Sequence, residues 1–583
     1  MKKSSIFLNS LSKYRKSSTP KTTEPPKKVQ RVEVELQITQ SVGELLNQGT
    51  EVDENDYFDI FLNKEGNPSD KQAGFLMNED FSVTGTIPPH KSDIEDKLAN
   101  PTFSWRLQRS LDKTVLENER TRLILAGLTK YNDLLVPQRS VSDLKHDRVA
   151  LSIHIMNHVL RSRDLVLDNS NKIAESKVDL ELRDQGYARC SVLLLTTTRH
   201  QGLLWIEALS KVTPRLKSVI AHKKFRQQFT GETETDMSRK PADYRKYFAG
   251  NRDDSFIMGI KVEGFSESSP GMRLKLFATN SEADIFICSP LGLVKAAERE
   301  PLTFLSSLNM IVCDQCHFMY NQNWAHLTQV MSMSCTAPDD PPAGFDLMRL
   351  REYFITDEIK KHCQLVCLSS CTFPLLKGMF RSNAQSHMGQ MTIKRNMPYG
   401  LTRVRALGLS SLAFKIQRFT TPNLKEVSEA RQQYFMKYVL EHIRSSFERV
   451  LIVASDYFEF VQLRRKMNQE IIEFEVVNEY SPLQEIGDVR HLFYDGKLPL
   501  LLTTTRFHFY HRYRIRGPQC IVLLSPPKDG LYFQEYCQFF EKDGGTVIVL
   551  ASKYDRQSLS VCFGPDVAGK VISSKRDTFL LNV

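Results

Sequence analysis

Twice along this chain, short aliphatic runs alternate with stretches long enough to be helices. In the first series SVLLLTTT (191–198) precedes RHQGLLWIEALSKV, ADIFICSP (283–290) precedes LGLVKAAER, LNMIVCDQ (308–315) precedes a polar loop, and HCQLVCLSS (362–370) precedes TFPLLKGMFR. RVLIVAS (449–455), IIEFEVVN (471–478), LPLLLTTT (498–505), QCIVLLSPP (519–527) and GTVIVLAS (545–552) form the second series. A strand buried on both faces has no polar side to show, so it reads as an unbroken Val/Ile/Leu run. That pattern belongs to parallel sheets covered by helices on both sides. Two such series, separated by an irregular stretch near 385–425, predict an α/β protein of two tandem lobes over 146–400 and 401–583.

Ahead of the lobes, TFSWRLQRSLDK and NERTRLILAGLTKYNDLL carry helical spacing, so residues 101–145 are expected to form a helical lead-in. Residues 1–100 lack sustained apolar periodicity. Met1 to Arg31 holds nine Lys/Arg against one acid, Glu24, and the balance then reverses in runs such as EVDENDYFD (51–59). Such segments bury too little apolar surface to offset the entropy of ordering, and a disordered tail, basic then acidic, is expected.

The eleven cysteines are an odd number scattered through apolar runs, the distribution of buried thiols in a reducing compartment. The one CxxC, Cys313-Asp-Gln-Cys316, precedes His317 but has no second pair at zinc spacing, so core thiols are expected and no metal. No apolar run reaches the ~18–20 residues that span a bilayer and no signal-peptide core is present, so a soluble intracellular protein without a membrane partner is expected. PPKKVQR (25–31) has the composition of a nuclear-import signal.

Several landmarks resemble the RecA-like core of superfamily 2 helicases. IVCDQCH (311–317) stands where those enzymes carry D-E-A-D/H, LLTTTRH (194–200) resembles P-T-R-E with Arg199 as its arginine, ICSPLGL (287–293) resembles T-P-G-R-L, and LSSC (368–371) resembles S-A-T. TTTRFHFYHRYRIRG (503–517) takes the place of A-T-D-x-x-x-R-G. The resemblance implies two tandem RecA-like lobes.

The groups that split a triphosphate are missing. A phosphate loop ends in Gly-Lys-Ser/Thr, yet between 149 and 190 the one glycine is Gly186. Asp314 is followed by Gln315, which cannot accept a proton as a catalytic carboxylate would. The last motif, which should hold an arginine finger, reads YFQEYCQFFEKDGG. GPDVAGKV (564–571) matches G-x-x-x-x-G-K but puts Val571 where Mg²⁺ needs a hydroxyl. Asp314 and Gln315 are therefore degenerate motif positions, and no catalytic residue, nucleotide or other cofactor is expected.

Longer stretches narrow the resemblance further. RDQGYARCSVLLL (183–195), KPADYRKYFAGNRDDSFIMGIK (240–261), FLSSLNMIVCDQCHFMYNQNWAHL (304–327), SDYFEFVQLRRKM (455–467), TTRFHFYHRYRIRG (504–517) and SKYDRQSL (552–559) resemble the U3 small nucleolar RNA-associated protein 25 family. Membership implies a helicase-like pseudoenzyme of the nucleolar small-subunit processome, with pre-rRNA or U3 snoRNA and other processome proteins as partners. Cys316 and His317 stand where the family pattern has Ala-Asp.

RFHFYHRYRIRG (506–517) is the candidate contact surface. Read as a strand, Arg506, His508, Tyr510, Arg512, Arg514 and Arg516 share one face, and Phe507, Phe509, His511, Tyr513 and Ile515 the other. Arg506, His508, Arg512, Arg514, Arg516 and Arg199 are the candidates for gripping RNA or an acidic partner. GNRDDSF (250–256) is expected to make a turn, and Tyr320 and Trp324 to pack into the core from a helix. The leading expectation is a non-catalytic scaffold of small-subunit assembly. The alternatives are an active RNA helicase with atypical motifs and a nuclear protein adaptor that touches no RNA.

Overall fold

Residues 56–63, 73–76, 80–85, 103–231, 237–265, 271–338, 345–409, 411–541 and 544–582 are described by the computed structural model. The first aliphatic series becomes β4 (Val192–Leu195), β8 (Ile285–Cys288), β9 (Met310–Cys313) and β10 (Gln364–Leu368), every residue of which is buried. With β1 (Ala73–Leu76), β2 (Phe81–Gly85), β3 (Asp133–Gln138), β5 (Leu216–Ile220), β6 (Ile257–Glu263), β7 (Met272–Ala278) and β11 (Gln390–Arg395) they make one eleven-stranded sheet. Its order is β1-β2-β11-β3-β10-β9-β4-β8-β6-β7-β5, and the run from β11 to β8 is parallel throughout.

The second series gives β13 (Val450–Ala454), β14 (Glu475–Val476), β15 (Leu500–Thr504), β16 (Cys520–Leu523) and β17 (Gly545–Ala551), which join β12 (Leu412–Arg418) and β18 (Thr578–Asn582). The order is β14-β15-β13-β16-β17-β12-β18, parallel except for β18. The expected two-lobed, mostly parallel α/β architecture is the one observed. Each sheet carries an apolar layer on both faces, as the unbroken aliphatic runs require.

Three stretches depart from the sequence reading. Residues 101–145 are not helical throughout: the helix Glu119–Thr129 stops before Tyr131, whose φ is +56°, and DLLVPQ continues as β3, inside the sheet between β11 and β10. Within the expected tail, α1 (Tyr57–Asn63) is helical and β1 and β2 extend the first sheet; apart from Asp56 and Asp80, the remainder of 1–100 lies outside the described residues. Phe58 and Phe61 hold α1 in place, with Phe61 stacked at 4.4 Å on Tyr131 and its carbonyl 2.7 Å from His362 Nδ1. The irregular region near 385–425 supplies β11 to one sheet and β12 to the other.

The helices that build the site are α2 (Asp143–Glu175), α3 (Arg199–Val212), α4 (Ala242–Phe248) and α5 (Cys316–Met333) in the first lobe. From the second come α6 (Tyr457–Gln469), α7 (Leu483–Tyr494), α8 (Thr505–His511) and α9 (Gly530–Cys537).

Candidate functional site

In open parallel sheets, ligands bind beyond the carboxyl ends of the strands. At that edge of the first lobe, Asp314 follows the end of β9 and β3 leads through residues 139–142 into α2. This strand–loop–helix unit lies two strands from β9 and is where a phosphate loop would have to stand. It lies upstream of 149–190, where the sequence places the expected loop, and α2 covers most of those residues. The loop reads Arg139-Ser140-Val141-Ser142, with neither glycine nor lysine.

Arg139 reaches from this loop to the end of β9. Its Nη2 lies 2.5 Å from Asp314 Oδ1 and its Nη1 3.6 Å from Asp147, and all three side chains are buried. Trp205 Nε1 donates to the other Asp314 oxygen at 2.9 Å. Burial alone would raise the Asp314 carboxyl, but the guanidinium charges of Arg139 and Arg148 hold it below its ordinary value. Gln315, at φ +65°, donates to Gln201 Oε1 at 2.7 Å and accepts from Thr197 at 3.2 Å. At the start of α2, Asp143 accepts from Ser140 N–H at 2.7 Å and from Arg395 at 3.1 Å. A helix N-terminus attracts anions; here the chain's own carboxylate takes that position.

The candidate surface is not a strand. Thr504 Oγ1 caps α8 by accepting from Phe507 N–H at 2.8 Å, and the helix ends at Arg512 in the left-handed region, φ +46°. The two-faced basic ribbon therefore does not exist. α8 is covered on more than one side, Phe507 by the second-lobe core, His508 by Tyr532 and Tyr536, and Phe509 by first-lobe aromatics, and the reversal at residue 512 buries Arg512 as well. Arg512 pairs with Asp243 of α4 in the first lobe and, at 2.8 Å, with Glu535 of α9; it also lies 4.4 Å from the Tyr532 ring centre. His508 Nε2 contacts the same Glu535 oxygen at 2.7 Å. Arg506 faces Glu479 at 3.4 Å, and Arg199 is bound by Asp253 at 2.7 Å and by the Ser255 carbonyl. Arg514 and Arg516 are exposed.

These contacts join the lobes. Phe509 packs among Leu144, Tyr244, Tyr247, Phe248 and Phe318 of the first lobe, 4.9 Å from Phe318 and 5.3 Å from Phe248. Tyr244 Oη donates to the Tyr510 carbonyl at 2.8 Å, Tyr510 Oη to the Asn321 carbonyl at 3.0 Å, and Lys240 Nζ to the His511 carbonyl at 2.5 Å. Lys528 reaches Tyr320 Oη across the same boundary. Of the first-lobe partners only Tyr320 stands out in the sequence, and there as a core residue, because nothing in a single chain's spacing brings residue 243 to residue 512.

Other readings stand as follows. GNRDDSF is a loop in which Asn251 accepts from Asp253 N–H and Asp253 from Ser255 N–H. Tyr320 and Trp324 lie on α5 against Phe373. GPDVAGKV forms the helix Pro565–Ser573, which buries Val571. Cys313 and Cys316 are buried free thiols, and no cluster of three or more His, Cys, Asp or Glu among the described residues could hold a metal.

Residues 131–391 match the UTP25 NTP hydrolase-like domain, and residues 409–581 match the Utp25 C-terminal domain. The chain belongs to the UTP25 family. Both lobes of this UTP25-family chain are thus covered, in order. It is 29% identical to the U3 small nucleolar RNA-associated protein 25 homolog of Xenopus tropicalis, over 91% of this chain and 72% of that protein. The Schizosaccharomyces pombe U3 small nucleolar RNA-associated protein 25 is 28% identical over 78% of this chain and 70% of its own length. The human homolog is also 28% identical, over 78% of this chain and 62% of its length. Among solved structures, yeast Prp28 covers 84% of this chain and 96% of its own at 12% identity and a TM-score of 0.30. Yeast Dbp5 bound to RNA and ADP BeF3 covers 82% and 94% at 11% identity and a TM-score of 0.27.

Proposed function

We propose that this chain is a non-catalytic, helicase-shaped scaffold of small ribosomal subunit biogenesis. It would act in the nucleolus, in pre-18S rRNA processing within the small-subunit processome, and hold RNA together with other assembly factors. The relatives' names, as U3 small nucleolar RNA-associated proteins, support the process and the compartment. The loss of catalysis rests on one observation: Arg139 is salt-bridged to Asp314 in the space a triphosphate and its metal would need. A nucleotide would have to displace a buried guanidinium and leave two buried aspartates, Asp314 and Asp147, partly unpaired, a cost of several kcal/mol. Titration calorimetry with Mg-ATP and a phosphate-release assay with RNA test this. Heat of binding with turnover abolished by Asp314→Ala would overturn it.

The adaptor reading draws support from a different observation, the internal use of His508 and Arg512. Crosslinking of the wild-type protein in cells separates the two: RNA adducts favour the RNA-holding scaffold, and their absence with retained processome association favours the adaptor.

A further inference from the structure

Where α8 ends, the lobe boundary gathers cations from three elements without matching carboxylates. Lys240, just ahead of α4, places Nζ 4.1 Å from the Tyr513 ring centre. Arg490 of α7 covers the same ring at 4.7 Å and donates from Nη2 to the Arg514 carbonyl at 3.0 Å. Its Nε is buried with no hydrogen-bond partner. Arg252, after α4, is exposed, as are Arg514 and Arg516.

Among the described residues none of these five cations has a carboxylate within salt-bridge range. The nearby acids Asp243 and Glu535 are already paired with Arg512. Burial, and after it the charges of Arg490, Arg512 and Arg252, draws the Lys240 ammonium down to about 8. Like charges held together and half-buried destabilise the fold unless an anion joins them.

We infer that Lys240, Arg252, Arg490, Arg514 and Arg516 form a phosphate-binding seam that takes the backbone of a single-stranded RNA across both lobes. This deepens the scaffold reading and rests on its RNA-holding part. Tyr513 takes no base in this assignment, since Lys240 and Arg490 both occupy its ring; the seam reads phosphates and not sequence. Polymer recognition follows from the spread of the cations over two lobes and three elements.

The test is fluorescence anisotropy of the full chain with a labelled single-stranded RNA over a salt series, beside a K240Q/R252Q/R490Q variant checked by thermal melting. Wild type is expected to bind with a steep salt dependence. The variant should lose about 2–3 units of the log–log slope and on the order of tenfold in affinity or more. Should the variant melt early, acetylation of Lys240 in the wild-type protein gives an independent readout: RNA should slow it several-fold, and tripolyphosphate at equal phosphate concentration should slow it less. Wild-type binding with an unchanged variant slope, or with Lys240 unprotected, overturns the seam while leaving RNA binding intact. Equal protection by tripolyphosphate overturns the polymer assignment, and protection by polyglutamate but not RNA assigns the seam to acidic peptides. No wild-type RNA binding at all removes the RNA-holding reading itself.

Discussion

Asp314, just past β9, is held by groups of its own chain: Arg139 binds one carboxylate oxygen and Trp205 the other. Removing one partner of a buried pair leaves the other uncompensated, so Arg139→Ala should lower unfolding free energy by about 3–5 kcal/mol. An Arg139→Leu/Asp314→Leu double variant should lose less than Arg139→Ala, since neither charge then remains; urea unfolding of both would show it. The pH dependence has a definite sign. With its pKa depressed in the fold, Asp314 contributes stability that is present above its unfolded value of about 3.9 and is lost as pH falls through the folded value. In Arg139→Ala that contribution is gone, so the gap between wild type and variant should be widest near neutrality and narrow below about pH 4. A gap that widens in acid would mean that Arg139 acts through packing and not through Asp314.

At the scale of elements, α8 and the turn after it act as a bolt between the lobes. Arg512→Ala should strand Asp243, leave Glu535 with His508 alone, and cost about 3–5 kcal/mol, with the radius of gyration by small-angle scattering rising as the lobes separate. Phe509→Ala should cost about 3 kcal/mol by emptying the aromatic cluster. Arg514→Glu with Arg516→Glu should leave stability within about 0.5 kcal/mol, because both side chains are exposed. The sequence made the β-strands legible where they were buried on both faces, since LLL, LIV and VIV runs admit few other readings. It misled at 506–517 for a physical reason. In RFHFYHRYRIRG nearly every apolar residue is aromatic and nearly every polar one is long and basic, so period 2 and period 3.6 both find an apolar face. The deciding signals are the Thr504 cap and a left-handed Arg512, and only the first is visible as a residue type. β3 was hidden likewise: DLLVPQ follows a helix with one break, and the left-handed Tyr131 that makes the break is not a glycine.

For the whole molecule, the two-lobed plan could be read from the order of strands, but what closes it could not, because closure depends on residues hundreds of positions apart. Phe509, Tyr510 and Arg512 bridge the two lobes with side chains. Two consequences can be measured in one calorimeter. Wild-type lobes should unfold in a single transition, since neither can melt without exposing the aromatic cluster, whereas Phe509→Ala/Arg512→Ala should separate the trace into two. Mg-ATP should leave the wild-type transition where it is. A ligand at a hundred times its dissociation constant adds about 2.7 kcal/mol to the native state, which would move the midpoint by several degrees in a lobe of this size. In the proposed non-catalytic reading no such shift occurs, because Arg139 on Asp314 and Asp143 at the start of α2 take the space that ligand would need. A midpoint that rises with Mg-ATP in wild type, and rises further when Arg139 is removed, would show the guanidinium yielding to a nucleotide that this space still admits.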